Sequence, residues 1–135
     1  MKNNAMEITK LLHHRPPYLL LSEVLKHDKS SLTALSLPNL QDFYLQGHFP
    51  ETPVVPGAIM QEMTVQAAGL LITHYYAPVE NYDSQVIKGW ALGVLRAIYS
   101  AKFKHFARPG DQLQVQVHLT DFKDHLFRLK GHIKL

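Results

Sequence analysis

Glu62 is a carboxylate among apolar neighbours: Ala58, Ile59, Met60, Met63, Val65, Ala67, Leu70 and Leu71. A carboxylate taken out of water loses solvation, so it must be paired or keep its proton, and a carboxyl that keeps its proton can serve as a general acid. His48 lies fourteen positions earlier, between Gly47 and Phe49-Pro50. An imidazole held at fixed geometry in such a rigid segment can act as a base. Gly57 opens the apolar stretch that carries Glu62. A helix start leaves its first N–H groups unpaired at the positive end of the dipole, and glycine lets a carbonyl approach closely. Each residue alone has a structural explanation: a carboxylate bonded to a loop, a histidine that only packs, a glycine that only turns. Together, a base, an acid and an amide donor are what elimination of water across the α and β carbons of a thioester requires.

The elements that position these groups follow from periodicity. From Gly57 to about Tyr75 there is no proline and a surplus of Ala, Leu, Met and Gln, which predicts one helix, with Pro56 suited to its start. Its apolar residues occupy nearly every face, so it should be buried. The segment Pro38 to Pro56 holds four prolines and Gly47, and reads as an irregular loop with one helical turn, carrying His48. Tyr18 to Lys26 and Ser31 to Leu37 read as a hairpin around His27-Asp28-Lys29-Ser30. A run from Gln85 to Phe106, rich in β-branched and aromatic residues, reads as strand bent near Gly89 and Gly93. After the turn Arg108-Pro109-Gly110-Asp111, Gln112 to Leu119 alternates strictly; a polar turn at Asp121 to Asp124 then leads to Phe127, Leu129, Ile133 and Leu135 at period two. One buried helix with several antiparallel strands predicts an α+β domain in which a sheet wraps a long central helix. Residues 1–135 are expected to form a single domain, with no repeat or linker dividing them.

The segments Leu11-Leu12-His13-His14-Arg15-Pro16-Pro17-Tyr18-Leu19-Leu20-Leu21, Gly47-His48-Phe49-Pro50, Pro53-Val54-Val55-Pro56-Gly57, Ala101-Lys102-Phe103-Lys104 and Pro109-Gly110-Asp111 resemble the FabA and FabZ family of 3-hydroxyacyl-acyl-carrier-protein dehydratases. The resemblance implies a hot-dog fold, with His48 taking the α proton, Glu62 assisting departure of the β hydroxyl, the Gly57 N–H binding the thioester carbonyl, and Gln66 supporting Glu62 from one helical turn away. It also implies a dimer, or a larger assembly such as a trimer of dimers, in which His48 of one subunit faces Glu62 of another. No cofactor of its own is implied: the acyl chain arrives on the phosphopantetheine of an acyl carrier protein, which would dock on basic residues near the tunnel mouth. Glutamate at position 62 points to the FabZ-like branch. Glu51 stands where the family has glycine, Ser22-Glu23 replaces an Asp-Arg pair, and the family's last strand is expected to be absent after Leu135.

Composition narrows the alternatives. The chain has no cysteine, which excludes disulfides, a thiolate nucleophile and cysteine-ligated zinc. Its formal charge of +3, without a stacking platform, is too small to argue for nucleic acid. Met1 to Lys10 lack a signal-like apolar run, and Val54 to Ile72 is interrupted by Pro56, Gln61, Glu62 and Gln66, so no membrane span and a cytoplasmic location are expected. His13-His14 and the spaced His118, His125 and His132 form no ligand motif, and no metal is expected; neither His-Glu-x-x-His nor Gly-x-Ser-x-Gly occurs. Arg96, Lys102, Lys104, His105 and Arg108 are either a local basic patch or ordinary solvated charges. A hot-dog thioesterase and a non-catalytic acyl-thioester-binding scaffold are the competing functions.

Overall fold

The strictest alternation in the sequence forms the middle of a sheet. In a computed structural model, which describes residues 6–88 and 93–135, strand β3 runs over Leu113–Lys123, and Leu113, Val115 and Val117 are fully buried on one face. Strands β1 (Glu23–His27), β2 (Ser31–Ser36) and β4 (Leu126–Lys134) complete an antiparallel sheet in the order β1-β2-β3-β4. The register sets Leu32 opposite Val117 and Ala34 opposite Val115, then Gly131 opposite Val117 on the other side. Because side chains alternate along a strand, these residues share one face.

Helix α2 (Gly57–Tyr76) packs on that face and contributes Met63, Ala67, Leu70 and Leu71 to the core, all at 0% exposure. It has no polar stripe: apart from Ala58 and His74, every residue along it is buried or half-buried. Helix and sheet come close together at Gly131, where an added Cβ would run into Cγ2 of Thr64. The short helix α1 (Ile8–Leu11) packs against α2 and buries Ile8 and Leu11. Arg15 fastens it to the short helix α3 (Ser84–Ile87), donating from Nη2 to the Thr9 carbonyl at 3.0 Å and to Ser84 Oγ at 2.9 Å.

Turns follow the polar residues that mark them. Asp28 accepts from the Ser30 and Ser31 N–H groups at 2.8 and 2.9 Å and closes the β1–β2 hairpin; these bonds, the Ser30 amide foremost, hold its carboxyl below the ordinary carboxylate range. Before β3, Gly110 takes φ +92°, Arg108 N–H donates to Asp111 Oδ2 at 2.8 Å, and Gly110 N–H donates to the Pro38 carbonyl at 2.9 Å.

Three expectations need correction. The first strand begins at Glu23, not Tyr18: Leu20 and Leu21 are buried, and Leu20 is held by side chains, its N–H by Gln66 and its carbonyl by Ser36, where a strand ladder was expected. The turn after β3 lies at Asp124 and His125, both at positive φ, because Asp121, Phe122 and Lys123 continue to pair with Arg128, Phe127 and Leu126. The strand expected over Gln85 to Phe106 does not form among the described residues. Ser84–Ile87 is helical, 93–106 has no ladder partner, and the bend at Gly89 falls outside the described residues.

Candidate active site

The α2 helix presents Glu62 and, one turn on, Gln66, which is 1% exposed. The Gln66 side chain is fully used: its carbonyl accepts the Leu20 N–H at 2.9 Å, and its Nε2 donates to the Tyr18 carbonyl at 2.8 Å and to Glu62 Oε1 at 3.2 Å. Burial of a polar group demands this satisfaction, and here it also fixes one oxygen of the carboxylate. A second group approaches the same oxygen: His14 Nε2 lies 3.6 Å from Glu62 Oε1, with 35% of the His14 and 19% of the Glu62 side chain exposed. Glu62 Oε2 takes no hydrogen bond among the described residues.

In the sequence, His14 stands out only beside His13 as a possible metal pair and within the motif Leu11 to Leu21. The signal that could have found it is the demand Glu62 makes: a carboxylate on an apolar helix needs a partner from another element. His13 turns elsewhere, its Nε2 bonding the Tyr82 hydroxyl at 2.7 Å.

His48 sits in the loop between a 3-10 turn over Phe43–Leu45 and α2. Gly47 before it takes φ +83°, a conformation that favours glycine. The loop closes on itself: His48 N–H donates to the Leu45 carbonyl at 3.4 Å, Val54 N–H donates to the His48 carbonyl at 2.8 Å, and the ring Nδ1 lies 2.9 Å from the Val54 carbonyl. A carbonyl can only accept, so Nδ1 carries the proton in this bond and Nε2 is left with a free lone pair. Beside this loop, the Tyr44 phenol is held well above its ordinary value by burial and by the Asp42 carboxylate to which it donates at 2.9 Å.

Gly57 is the first residue of α2, after Pro56 as N-cap, and no side chain caps the helix. The Pro56 carbonyl accepts from Ile59 and Met60, and the Gly57 N–H donates to no group among the described residues. The Phe103 ring packs beside Gly57, since a Cβ there would stand 3.2 Å from its carbons.

Gln66, Glu62 and His14 are therefore brought together, and Gly57 lies on the same helix. His48 is not joined to Glu62 by any hydrogen bond or ion pair among the described residues. An open cleft of about 420 Å³ beside the His48 loop is lined by Leu45, Gly47, Phe49, Pro50 and Pro53, without Glu62. His118 and His132 approach each other across β3 and β4 with ring centroids 6.4 Å apart, but no group of three metal-ligating side chains forms among the described residues. No described helix is long and apolar enough to cross a membrane.

The profile of the ApeI-like family, described as ApeI dehydratase, matches residues 24–134. A 3-hydroxyacyl-[acyl-carrier-protein] dehydratase FabZ of Variovorax paradoxus is 38% identical over 93% of this chain and 79% of its own length. The FabZ of Petrotoga mobilis is 34% identical over 95% of this chain and 84% of its own. The chain belongs to the FabZ-like dehydratase family. It is accordingly an enzyme of the lyase class. A solved structure titled "The Dehydratase Heterocomplex ApeI:P from Xenorhabdus doucetiae" superposes with a TM-score of 0.71 at 19% identity, over 94% of this chain and 80% of that one. The FabZ-like chain thus has the α+β hot-dog fold expected of it, an antiparallel sheet with a long central helix.

Proposed function

We propose that this chain dehydrates 3-hydroxyacyl thioesters, carried on the phosphopantetheine of an acyl carrier protein, to trans-2-enoyl thioesters in fatty-acid or related acyl-chain synthesis. The observation that carries the mechanism is the bond between His48 Nδ1 and the Val54 carbonyl at 2.9 Å, which leaves Nε2 bare to act as a base. In this reading His48 Nε2 takes the α proton, and the Gly57 N–H receives the charge that develops on the thioester oxygen. Glu62 gives its proton to the β hydroxyl, which leaves as water while the α–β double bond forms. Loss of the His48 proton to solvent and return of one to Glu62 reset the site. No cofactor of the protein takes part, and the phosphopantetheine belongs to the substrate.

His48 and Glu62 share no hydrogen bond or ion pair among the described residues of one protomer, which suits assembly with a second copy that brings the two together. The residues 93–106 support the same reading: Val94, Tyr99 and Phe106 are 84%, 83% and 71% exposed, an apolar strap that a partner would cover. Arg96, Lys102, Lys104, His105 and Arg108, all exposed around this strap, suit an acidic carrier protein. Because the solved neighbour is titled a heterocomplex, a non-identical chain is the alternative partner; the mass of the complex formed by this chain alone separates the two.

The test is an absorbance assay for enoyl-thioester formation from 3-hydroxyacyl-carrier protein. His48→Ala and Glu62→Gln are each expected to lower kcat by about 100-fold or more while the protein stays folded. Wild-type turnover in either variant overturns the mechanism. Thiol release without enoyl product would point to a thioesterase, and tight binding without turnover to a scaffold.

A further inference from the structure

We propose that His14 is a positioning residue for the acid: with Gln66 it holds one oxygen of Glu62, leaving the other to face the leaving hydroxyl. The inference rests on the reading of Glu62 as the acid and adds to it which oxygen reacts and what receives the charge afterwards.

Both neighbours fall on the same atom, His14 Nε2 at 3.6 Å and Gln66 Nε2 at 3.2 Å from Oε1. A carboxyl that donates through Oε2 while Oε1 accepts from two N–H groups becomes, on losing its proton, a carboxylate already solvated on the side away from substrate. Hydrogen bonds to the ionised form are about twice as strong as neutral ones, so the two donors favour the state reached as the proton leaves. The 3.6 Å separation is beyond hydrogen-bonding range, and catalytic contacts of this kind tighten as charge develops.

The other face of the imidazole indicates which nitrogen carries the proton. His14 Nδ1 is buried with no partner among the described residues. An orphaned N–H there would cost more than a bare lone pair, since backbone and side-chain donors are the more strictly paired groups in protein interiors. The neutral ring therefore places its proton on Nε2, toward Glu62. The ring's position is fixed as well: it stacks on Tyr18 with centroids 6.1 Å apart and planes at 15°, and Arg15 Nη1 donates to the Leu12 and His14 carbonyls, each at 2.8 Å. The groups that face His14 are thus the Glu62 carboxylate from α2 and the Tyr18 ring, while the Arg15 guanidinium reaches back to Thr9 and Ser84.

The experiment compares three variants in the enoyl-thioester assay. Glutamine presents an amide N–H near the position of histidine Nε2, asparagine presents one near Nδ1, and phenylalanine keeps the stack on Tyr18 without a donor. His14→Phe is expected to lower kcat by about 10- to 100-fold with KM little changed, the scale of one hydrogen bond to a developing charge. His14→Gln should recover most of that loss. If His14→Phe does not fold, His14→Asn takes its place and should be slow where His14→Gln is active. Wild-type kcat in the Phe or Asn variant, equal loss in all three, or a change confined to KM overturns the proposal. The two levels fail separately. If Glu62→Gln keeps wild-type turnover, the reading of Glu62 falls and this inference with it; if Glu62→Gln is inactive and His14→Phe is not slowed, this inference alone falls.

Discussion

The side-chain carbonyl of Gln66 accepts the backbone N–H of Leu20 at 2.9 Å, 46 positions away along the chain. The same amide donates to the Tyr18 carbonyl at 2.8 Å, so one residue of the central helix takes the place of a strand ladder for the segment before β1. Gln66→Leu would keep the volume and strip both partners. Unpaired buried backbone groups cost about 1–3 kcal/mol each, and a loss of about 2–4 kcal/mol in chemical denaturation is expected, with reduced kcat because Glu62 loses its donor. A variant as stable as wild type would show that water replaces the amide.

Thr64 and Gly131 set how closely α2 approaches β4. Gly131→Ala places a methyl against Thr64 Cγ2 and is expected to cost about 1–3 kcal/mol, the usual range for overpacking. Thr64→Ser removes that methyl and keeps the hydroxyl that donates to the Met60 carbonyl at 3.1 Å. The double variant should regain at least half of the loss, measured as a coupling energy in a double-mutant cycle. Simple additivity would place the cause elsewhere.

His74, near the end of α2, is exposed overall, yet the partial loss of water around its ring first and the charge of His27 second hold its pKa below the ordinary 6.5, the two rings lying 5.2 Å apart. Between its folded and unfolded values the unfolded chain binds more protons, so stability falls as pH drops from about 6.5 through that window and levels off below the folded value. His74→Gln removes this titration. Its melting temperature should decline less than that of wild type over the same acid range, and parallel curves would exclude His74 as the source.

Val94 is 84% exposed in the protomer, so an aspartate there should leave the protomer fold within about 0.5 kcal/mol of wild type. If the strap is a partner surface, the charge is buried on assembly. Val94→Asp is then expected to shift the mass in solution toward monomer and to lower activity together. An unchanged mass with unchanged activity would remove the strap from the interface.

The residues that sequence made legible are those whose pattern and packing agree. Leu113, Val115 and Val117 alternate in the sequence and form the centre of the sheet, and the proline-free stretch from Gly57 became α2 almost to the residue. Asp121 and Lys123 read as a turn because polar residues normally mark one; past the core, in a two-stranded ribbon, they can face water while their backbone continues the ladder. The β-branched and aromatic run ending at Phe106 has strand composition but no ladder partner among the described residues, and composition records the need for a covered face without saying what covers it. His48, Glu62 and Gly57 read in the sequence as a set by the complementary chemistry of their types, and their roles remain the proposal. His14 did not read as part of it, because its relation to Glu62 spans two elements and has no sequence spacing to betray it.

Gly57 and Glu62 stand five positions apart on one uninterrupted helix, a span of about 7.5 Å along the axis at the usual rise. That interval is fixed by covalent geometry and the helix ladder, so neither loop motion nor substitution in the sheet can alter it. If Gly57 holds the thioester carbonyl and Glu62 meets the β hydroxyl, as proposed, changes elsewhere in the fold could accumulate without disturbing the gauge between those two groups. Only the histidine loop, mounted on separate backbone, would need realignment.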